Sequence, residues 1–179
     1  MRAKEYYEKL GKIVISAKSI QNKIKKMAKE ISADYKDGEV VLICNLKGSF
    51  RFLADLVSYI NIPTIMDFIA FKSYEGTKSS EKIRIIKDLK IDISNKRVLI
   101  VEDIIDTGLT LDYIVKYIEE FKKPKEIKVA VLLDKPSTRK IDVKVDYKGF
   151  EIPDIFVVGY GLDYKEYFRE LNDIVCFKE

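Results

Sequence analysis

Residues 98–111, VLIVEDIIDTGLTL, decide the fold. An apolar run of strand length meets two adjacent carboxylates, Glu102 and Asp103, then Ile104 and Ile105, after which Asp106-Thr107-Gly108-Leu109-Thr110 opens a helix. Strand, loop and helix start in this order make one βα unit of a parallel α/β sheet. Backbone N–H groups of such a loop and of the first helical turn converge on an anion. Gly108 permits close approach, and the hydroxyls of Thr107 and Thr110 add donors. A phosphate monoester fits that cradle. The carboxylates upstream would repel a bare phosphate, but they suit vicinal ribose hydroxyls held some distance away, so the whole segment describes a phosphorylated sugar. The plainer alternative makes Asp106 and Thr107 helix caps and leaves Glu102 and Asp103 as ordinary strand-end residues. The ordered run of acceptors followed by donors argues against it.

The flanking sequence alternates in the same way. After the short strand candidate KIVIS, Ser16 caps a predicted helix over 17–34, with Ile20, Ile24, Met27 and Ile31 on one face and Lys23, Lys25, Lys26 and Lys29 turned mostly outward. VVLICNL (40–46) reads as a buried strand, ended by Lys47-Gly48-Ser49 before the amphipathic helix FRFLADLVSYI. Asn61-Ile62-Pro63 breaks that helix, and TIMDFIAF (64–71) reads as the next strand. Residues 73–82, SYEGTKSSEK, are small, polar and glycine-containing, which predicts a mobile connection; a strand follows near IRIIK. RVLIV is then a central strand, 111–121 continues a helix, and IKVAVLL (127–133) is a further strand. From 134 the pattern becomes irregular, with Pro136, Pro153, an apolar run at DIFVVGYGL and the aromatic stretch DYKEYFREL. We expect one α/β domain over 1–179, with a mainly parallel sheet flanked by helices in about 17–133. A lobe of 134–179, joined by the N-terminal segment 1–16, is expected to fold over the sheet's carboxyl edge, where ligands of α/β folds bind.

Of 179 residues, 47% are hydrophobic and 35% charged, the balance of a soluble globular chain with one core. The 33 basic and 29 acidic residues, net +4, are interspersed, so no tract announces nucleic acid or an anionic membrane as a partner. The absence of histidine excludes Ser-His and Cys-His nucleophile systems and His-based zinc sites. Proton transfer must use carboxylates, lysine, tyrosine or water. Cys44 and Cys176 lie far apart in apolar runs without CxxC spacing and read as two buried thiols in a reducing cytosol. MRAKEYYEKL lacks the apolar core of a signal peptide, and no apolar stretch reaches membrane-spanning length, so a cytoplasmic protein is expected.

The run VLIVEDIIDTGLTL resembles the phosphoribosyl pyrophosphate motif of type I phosphoribosyltransferases, and its wording is close to the hypoxanthine-guanine branch. The resemblance extends through LKGS at 46–49, SY at 73–74, Lys135 after VAVLL, and FEIPDIFVVGYGLDYKEYFREL at 150–171. It implies the type I phosphoribosyltransferase fold with a small hood lobe. It also implies Mg2+-dependent transfer of phosphoribose from phosphoribosyl pyrophosphate to a 6-oxopurine, hypoxanthine or guanine, yielding IMP or GMP and pyrophosphate in purine salvage. Breaking the C1–pyrophosphate bond builds positive charge on the ribose and negative charge on the leaving group, a reaction served by positioning and electrostatic stabilisation. Magnesium is the expected ion because substrate phosphates supply most of its hard oxygen ligands. The family tends to homodimers and homotetramers.

The resemblance assigns roles to individual residues. Glu102, Asp103, Asp106, Thr107, Gly108, Leu109 and Thr110 meet the ribose and its 5-phosphate. Lys47 and Gly48 form the pyrophosphate loop, where the Leu46–Lys47 peptide can be cis, and Arg169 is the second pyrophosphate contact, its planar fork suited to that anion. Ser73 and Tyr74 open a lid loop that closes over the reacting centre and excludes water. Lys135 donates to a purine O6 and disfavours the 6-amino group of adenine, while Phe156 stacks on the base. The backbone at Val157 and Asp163 faces the base's N1 and 2-position edge, and Glu102, Asp103 and Asp163 are the carboxylates for magnesium. Asp106, beside purine N7, is the candidate general base, or it orients the base while the leaving pyrophosphate takes the proton. Without the resemblance, Lys47 is a surface lysine, Arg169 a helical charge, Ser73-Tyr74 a polar turn and Phe156 a core aromatic.

Two departures from the mammalian pattern, Leu109 in place of lysine and Gly161 in place of alanine, resemble microbial members and leave base preference open. Residues 134–149 are only loosely similar beyond Lys135. The alternatives are a xanthine-preferring enzyme and a nucleotide-sensing, RNA-binding regulator on the same fold. A regulator would show a broken catalytic set, whereas Asp106, Lys47, Lys135, Asp163 and Arg169 are all present.

Overall fold

The computed structural model describes residues 3–74 and 82–178. In chain order the elements are α1 (Ala3–Tyr7), β1 (Leu10–Ile15), α2 (Ala17–Asp34), β2 (Val40–Asn45), α3 (Phe50–Val57), β3 (Thr64–Tyr74), β4 (Lys82–Lys87), β5 (Arg97–Ile105), α4 (Leu109–Tyr117), β6 (Glu126–Asp134), β7 (Tyr147–Glu151), β8 (Val157–Val158) and β9 (Ile174–Phe177).

Val40 to Cys44 and Val98 to Val101 offer no polar face, so these runs can be accommodated only where both sides are covered. They become β2 and β5 at the centre of a six-stranded sheet, order β4-β3-β2-β5-β6-β7, in which only β4 runs antiparallel to its neighbour. One face is covered by α2, whose Ile20, Ile24, Met27 and Ile31 lie in one core with Leu42, Cys44, Leu99 and Val101. The helix starts where Ser16 accepts a hydrogen bond from the Ser19 amide at 3.3 Å. The other face buries Val41, Ile43, Val98 and Ile100 together with Leu111 and Ile114 of α4 and with Ile118 beyond it. Among the described residues no helix is long and apolar enough to cross a membrane.

A second sheet, order β1-β9-β8, forms the hood, so the first strand of the chain is held by the last. Tyr6, Val158, Phe168, Val175 and Phe177 make its core.

The structure moves several expected boundaries. β5 runs to Ile105 because it stays paired with β6 as far as Ile105↔Asp134, so Glu102 and Asp103 are strand residues on opposite faces, not the residues that end it. β7 pairs with β6 from Ala130↔Tyr147 to Asp134↔Glu151, which gives the main sheet a stretch expected in the lobe. α4 begins at Leu109, within the segment expected to open it, and its regular turns end at Tyr117, short of 121. Ser73 and Tyr74 lie in β3, paired with Ile83 and Lys82, instead of opening a loop; residues 75–81 of the expected lid lie outside the described residues. Residues 163–171 are not helical, since Lys165, Glu166 and Phe168 have positive φ and Tyr164 bridges to Tyr167. Of the two thiols, Cys44 is buried and Cys176 only half-buried.

Asp67, buried in β3, fastens the β3–β4 hairpin to the segment entering β5. Its carboxylate accepts from the amides of Phe68 (2.7 Å), Lys90 (2.6 Å) and Ile91 (3.1 Å). Burial alone would raise its pKa, but those amides and the Lys87 ammonium hold it below the ordinary aspartate value. The stabilisation is therefore complete above the unfolded value near 4 and is lost as pH falls toward the lower folded value. Asp67→Asn is expected to cost about 2 kcal/mol in denaturant unfolding at neutral pH, with the difference shrinking below about pH 4.

Candidate active site

The carboxyl end of β5 delivers the acidic pair. Asn45, at the end of β2, donates from Nδ2 to Glu102 Oε1 at 3.0 Å, and among the described residues Glu102 Oε2 is buried without a partner. Asp103 Oδ1 accepts from the Ile104 amide at 2.8 Å, and a Cβ at position 48 would overlap the Asp103 carboxylate, so a side chain there would displace that carboxylate from its place. Burial raises Glu102 well above the usual carboxylate range and the Asp103 charge adds to the effect; burial also raises Asp103, opposed by its own and the Ile104 amides and by Arg169. Two acceptors kept short of solvent beside each other suit neutral hydroxyl donors.

Asp106 to Gly108 then turn the chain into α4. Gly108 has φ +85°, and a Cβ there would strike the Ile141 carbonyl. No side chain caps the helix through its N-cap residue, and the only local side-chain acceptor is Thr107 Oγ1, at a long 3.4 Å from the Leu109 amide. The cap alternative is thus not what the loop does. The loop and the start of α4 border a cavity of about 220 Å³ lined by Glu102, Asp103, Asp106, Thr107, Gly108 and Thr110.

Lys47 and Arg169 meet at a second point. The Leu46–Lys47 peptide is cis. Lys47 Nζ and Arg169 Nη2 each lie 3.1 Å from the Glu166 carboxylate, which is 64% exposed, and the two cations hold that carboxyl below its ordinary range. Arg169 Nη1 donates to the Gly161 carbonyl at 2.7 Å, and Arg51 donates to the carbonyls of Arg169, Glu170 and Leu171, bracing the irregular turn that carries the arginine. At Gly161, φ is +100° and a Cβ would overlap the Gly48 carbonyl, so glycine at this position belongs with the tight pyrophosphate loop beneath it. Asp163 pairs with Arg169 at 2.7 Å. Among the described residues no three carboxylates converge as a metal cage, so Glu102, Asp103 and Asp163 do not make one unaided.

At the end of β6, Lys135 is 6% exposed, with Nζ 3.3 Å from Asp106 Oδ2 and 3.8 Å from Asp154 Oδ1. Phe156 is 39% exposed and stands edge-on to Tyr164 at 6.0 Å, so it is not the core aromatic its surroundings in sequence suggest. Val157 is buried in β8 opposite Cys176. Sequence reasoning missed Asn45, Arg51, Arg139, Asp154 and Glu166. None of these carries a local signal in the sequence, because their partners lie on other elements.

Residues 16–165 match the family model of the phosphoribosyl transferase domain, which places the chain among the phosphoribosyltransferases. The hypoxanthine-guanine phosphoribosyltransferase of Bacillus subtilis is 48% identical over 170 residues, covering 94% of each chain. That of Aquifex aeolicus is 46% identical over 98% of this chain and 99% of its own. A crystal structure of a hypoxanthine-guanine phosphoribosyltransferase from Bacillus anthracis superposes with a TM-score of 0.88 at 41% identity, over 94% of this chain and 99% of that one. A hypoxanthine phosphoribosyltransferase from Staphylococcus aureus gives 0.91 at 39% identity, over 99% and 97%. The chain belongs to the hypoxanthine-guanine branch of that family, the phosphoribosyltransferases of purine salvage.

The raised Glu102 has a stability consequence opposite in sign to that of Asp67. A carboxylate whose folded pKa exceeds its unfolded value destabilises the fold increasingly as pH rises above about 4, and fully once it is ionised in the folded state. Glu102→Gln is expected to raise the melting temperature of the ligand-free protein by a few degrees (~1 kcal/mol) at alkaline pH, with the gain vanishing toward about pH 4. The same change is expected to weaken ribose binding. Thermal scans across pH, with and without nucleotide, measure both effects.

Proposed function

We propose that the chain catalyses Mg2+-dependent transfer of phosphoribose from phosphoribosyl pyrophosphate to hypoxanthine and guanine, yielding IMP and GMP. The observation that carries this reading is the Lys135–Asp106 pair, an ammonium and a carboxylate 3.3 Å apart beside the phosphate cavity. A 6-oxopurine presents an acceptor, O6, next to a donor, N7–H, on one edge; the pair presents the complementary donor and acceptor. Adenine would set its amino hydrogens against the ammonium.

The chain's own groups then have distinct tasks. Glu102 and Asp103 accept from the ribose hydroxyls, the loop amides and Thr110 hold the 5-phosphate, and Lys47 and Arg169 exchange Glu166 for pyrophosphate oxygens. Asp106 orients N7–H and receives its proton as the ribose C1 bonds to nitrogen. Phe156 offers an exposed ring to the base. Magnesium fits the unpartnered Glu102 oxygen and the neighbouring Asp103, two carboxylates being what this ion takes from protein when phosphates complete its shell. When bound it neutralises charge on the departing pyrophosphate. We further propose a cytoplasmic homodimer or homotetramer; the exposed Met66, Ile86 and Phe121 are apolar surface that subunit contact would cover, and light scattering reads the mass directly.

An assay with magnesium and phosphoribosyl pyrophosphate, offering hypoxanthine, guanine, xanthine, adenine and orotate separately, tests the assignment. Turnover of hypoxanthine and guanine is expected, and use of adenine, orotate or xanthine alone would overturn it. Lys135→Ala is expected to lower kcat/KM for 6-oxopurines about 10- to 100-fold while leaving pyrophosphate affinity nearly unchanged. Asp106→Asn is expected to cut kcat about 100-fold or more; undiminished turnover across pH would remove Asp106 as the proton acceptor.

A further inference from the structure

Three successive carbonyls of the phosphate loop are held from behind by one segment. The Ile105 oxygen accepts from the Lys135 amide at 3.0 Å and from Arg139 Nη2 at 3.4 Å. The Asp106 oxygen accepts from Arg139 Nε at 3.1 Å, and the Thr107 oxygen accepts from the amides of Lys140 at 2.9 Å and Ile141 at 3.1 Å. In a trans peptide unit the C=O and the following N–H point in opposite directions, so holding these oxygens on one side turns the next three N–H groups to the other. Among the described residues no protein acceptor takes the amide of Asp106, Thr107 or Gly108. Asp106, Thr107 and Gly108 line the cavity at the end of β5, whereas Arg139 borders a different cavity, formed with Asp134 and Lys148.

We propose that Arg139 is a positioning residue for the 5-phosphate: its guanidinium clamps the carbonyl side of the loop so that the amide side stays turned toward the anion. This rests on the phosphoribosyl transfer proposed above. Arg139 is suited to the task because it is itself fixed. Its side chain is mostly buried and pairs with the carboxylate of Asp134, which is buried and also bonded by Lys148. One guanidinium thus reaches two carbonyls and a carboxylate at once, a geometry that a lysine's single ammonium cannot reproduce. Its positive charge also lies behind the peptide dipoles that face the phosphate, reinforcing them. Close packing completes the clamp, since Arg139 Cδ and the Ile141 carbonyl fill the space a side chain at position 108 would need.

Arg139→Lys and Arg139→Met test the clamp by calorimetric titration with IMP, ribose 5-phosphate and inorganic pyrophosphate, alongside steady-state kinetics. Both variants are expected to bind ribose 5-phosphate and IMP about tenfold more weakly, with pyrophosphate affinity within about twofold of wild type. The KM for phosphoribosyl pyrophosphate should rise by a similar factor while kcat stays within about threefold, and lysine should not rescue. Equal loss for pyrophosphate, or full recovery with lysine, would overturn the clamp. If the methionine variant does not fold, the lysine variant decides, because it keeps a cation for Asp134 and Lys148 remains in place. Failure of the wild-type protein itself to bind ribose 5-phosphate and IMP would overturn the transferase reading, and the clamp with it. A wild type that binds both as tightly as its variants do overturns the clamp alone.

Discussion

Two carboxylates on consecutive residues of one buried strand repel each other and have little water to solvate them, so a fold that keeps them must answer for their charge. Here the answer surrounds them. Asn45 reaches across from the neighbouring strand to one, amides of the strand itself face the other, and Arg169 lies within electrostatic range of Asp103. Part of the charge is simply suppressed, because burial favours the protonated forms. What stays unanswered among the described residues is the second oxygen of Glu102, a residue that lines the cavity at the end of β5. The rest of the molecule follows from holding this edge rigid. The apolar runs of β2 and β5 anchor it between two helical layers, and Gly48 and Gly161 let the Lys47-Gly48 turn and the hood close down on it where a side chain would collide.

The cations of the site are treated in the same way. Lys47 and Arg169 share Glu166, Arg169 also holds Asp163, and Lys135 holds Asp106. Each cation has an internal carboxylate at the point where the proposed ligands would bring an anion or an electron-rich oxygen. Binding then exchanges one pairing for another and never leaves a bare charge in a low-dielectric pocket, which is the costly state.

Much of this was legible in the sequence where the physics is local. The α2 helix is readable because its apolar residues recur at helical spacing behind a serine cap, and β2 and β5 because no polar residue interrupts residues 40–44 or 98–101. The anion loop is readable because a glycine with left-handed backbone must lie where chain and ligand come close. The rest depends on partners distant in sequence. β5 continues through two charged residues only because β6 continues beside it, and YKGFE joins the main sheet as β7 although its alternation is interrupted by glycine. Nothing local distinguishes Arg139 from a surface arginine, since its acceptors are main-chain oxygens presented by another element. The turn at 163–171 is not legible, and Arg169 by itself reads as a helical charge, because lysine, glutamate and phenylalanine rarely take positive φ; they do so here with Phe168 buried in the hood core and Arg169 sharing Glu166 with Lys47.

The hood sheet is closed by β1, which precedes α2, and by β9, which follows everything else, with Leu10 opposite Phe177. In a chain made from its amino end, such a sheet cannot exist until residue 177 has been made. The cavity at the end of β5, and the Lys135–Asp106 pair beside it, come from strands made earlier, whereas Phe156 and the Arg169 turn follow. Order of assembly therefore runs from the floor of the pocket to the hood that covers it.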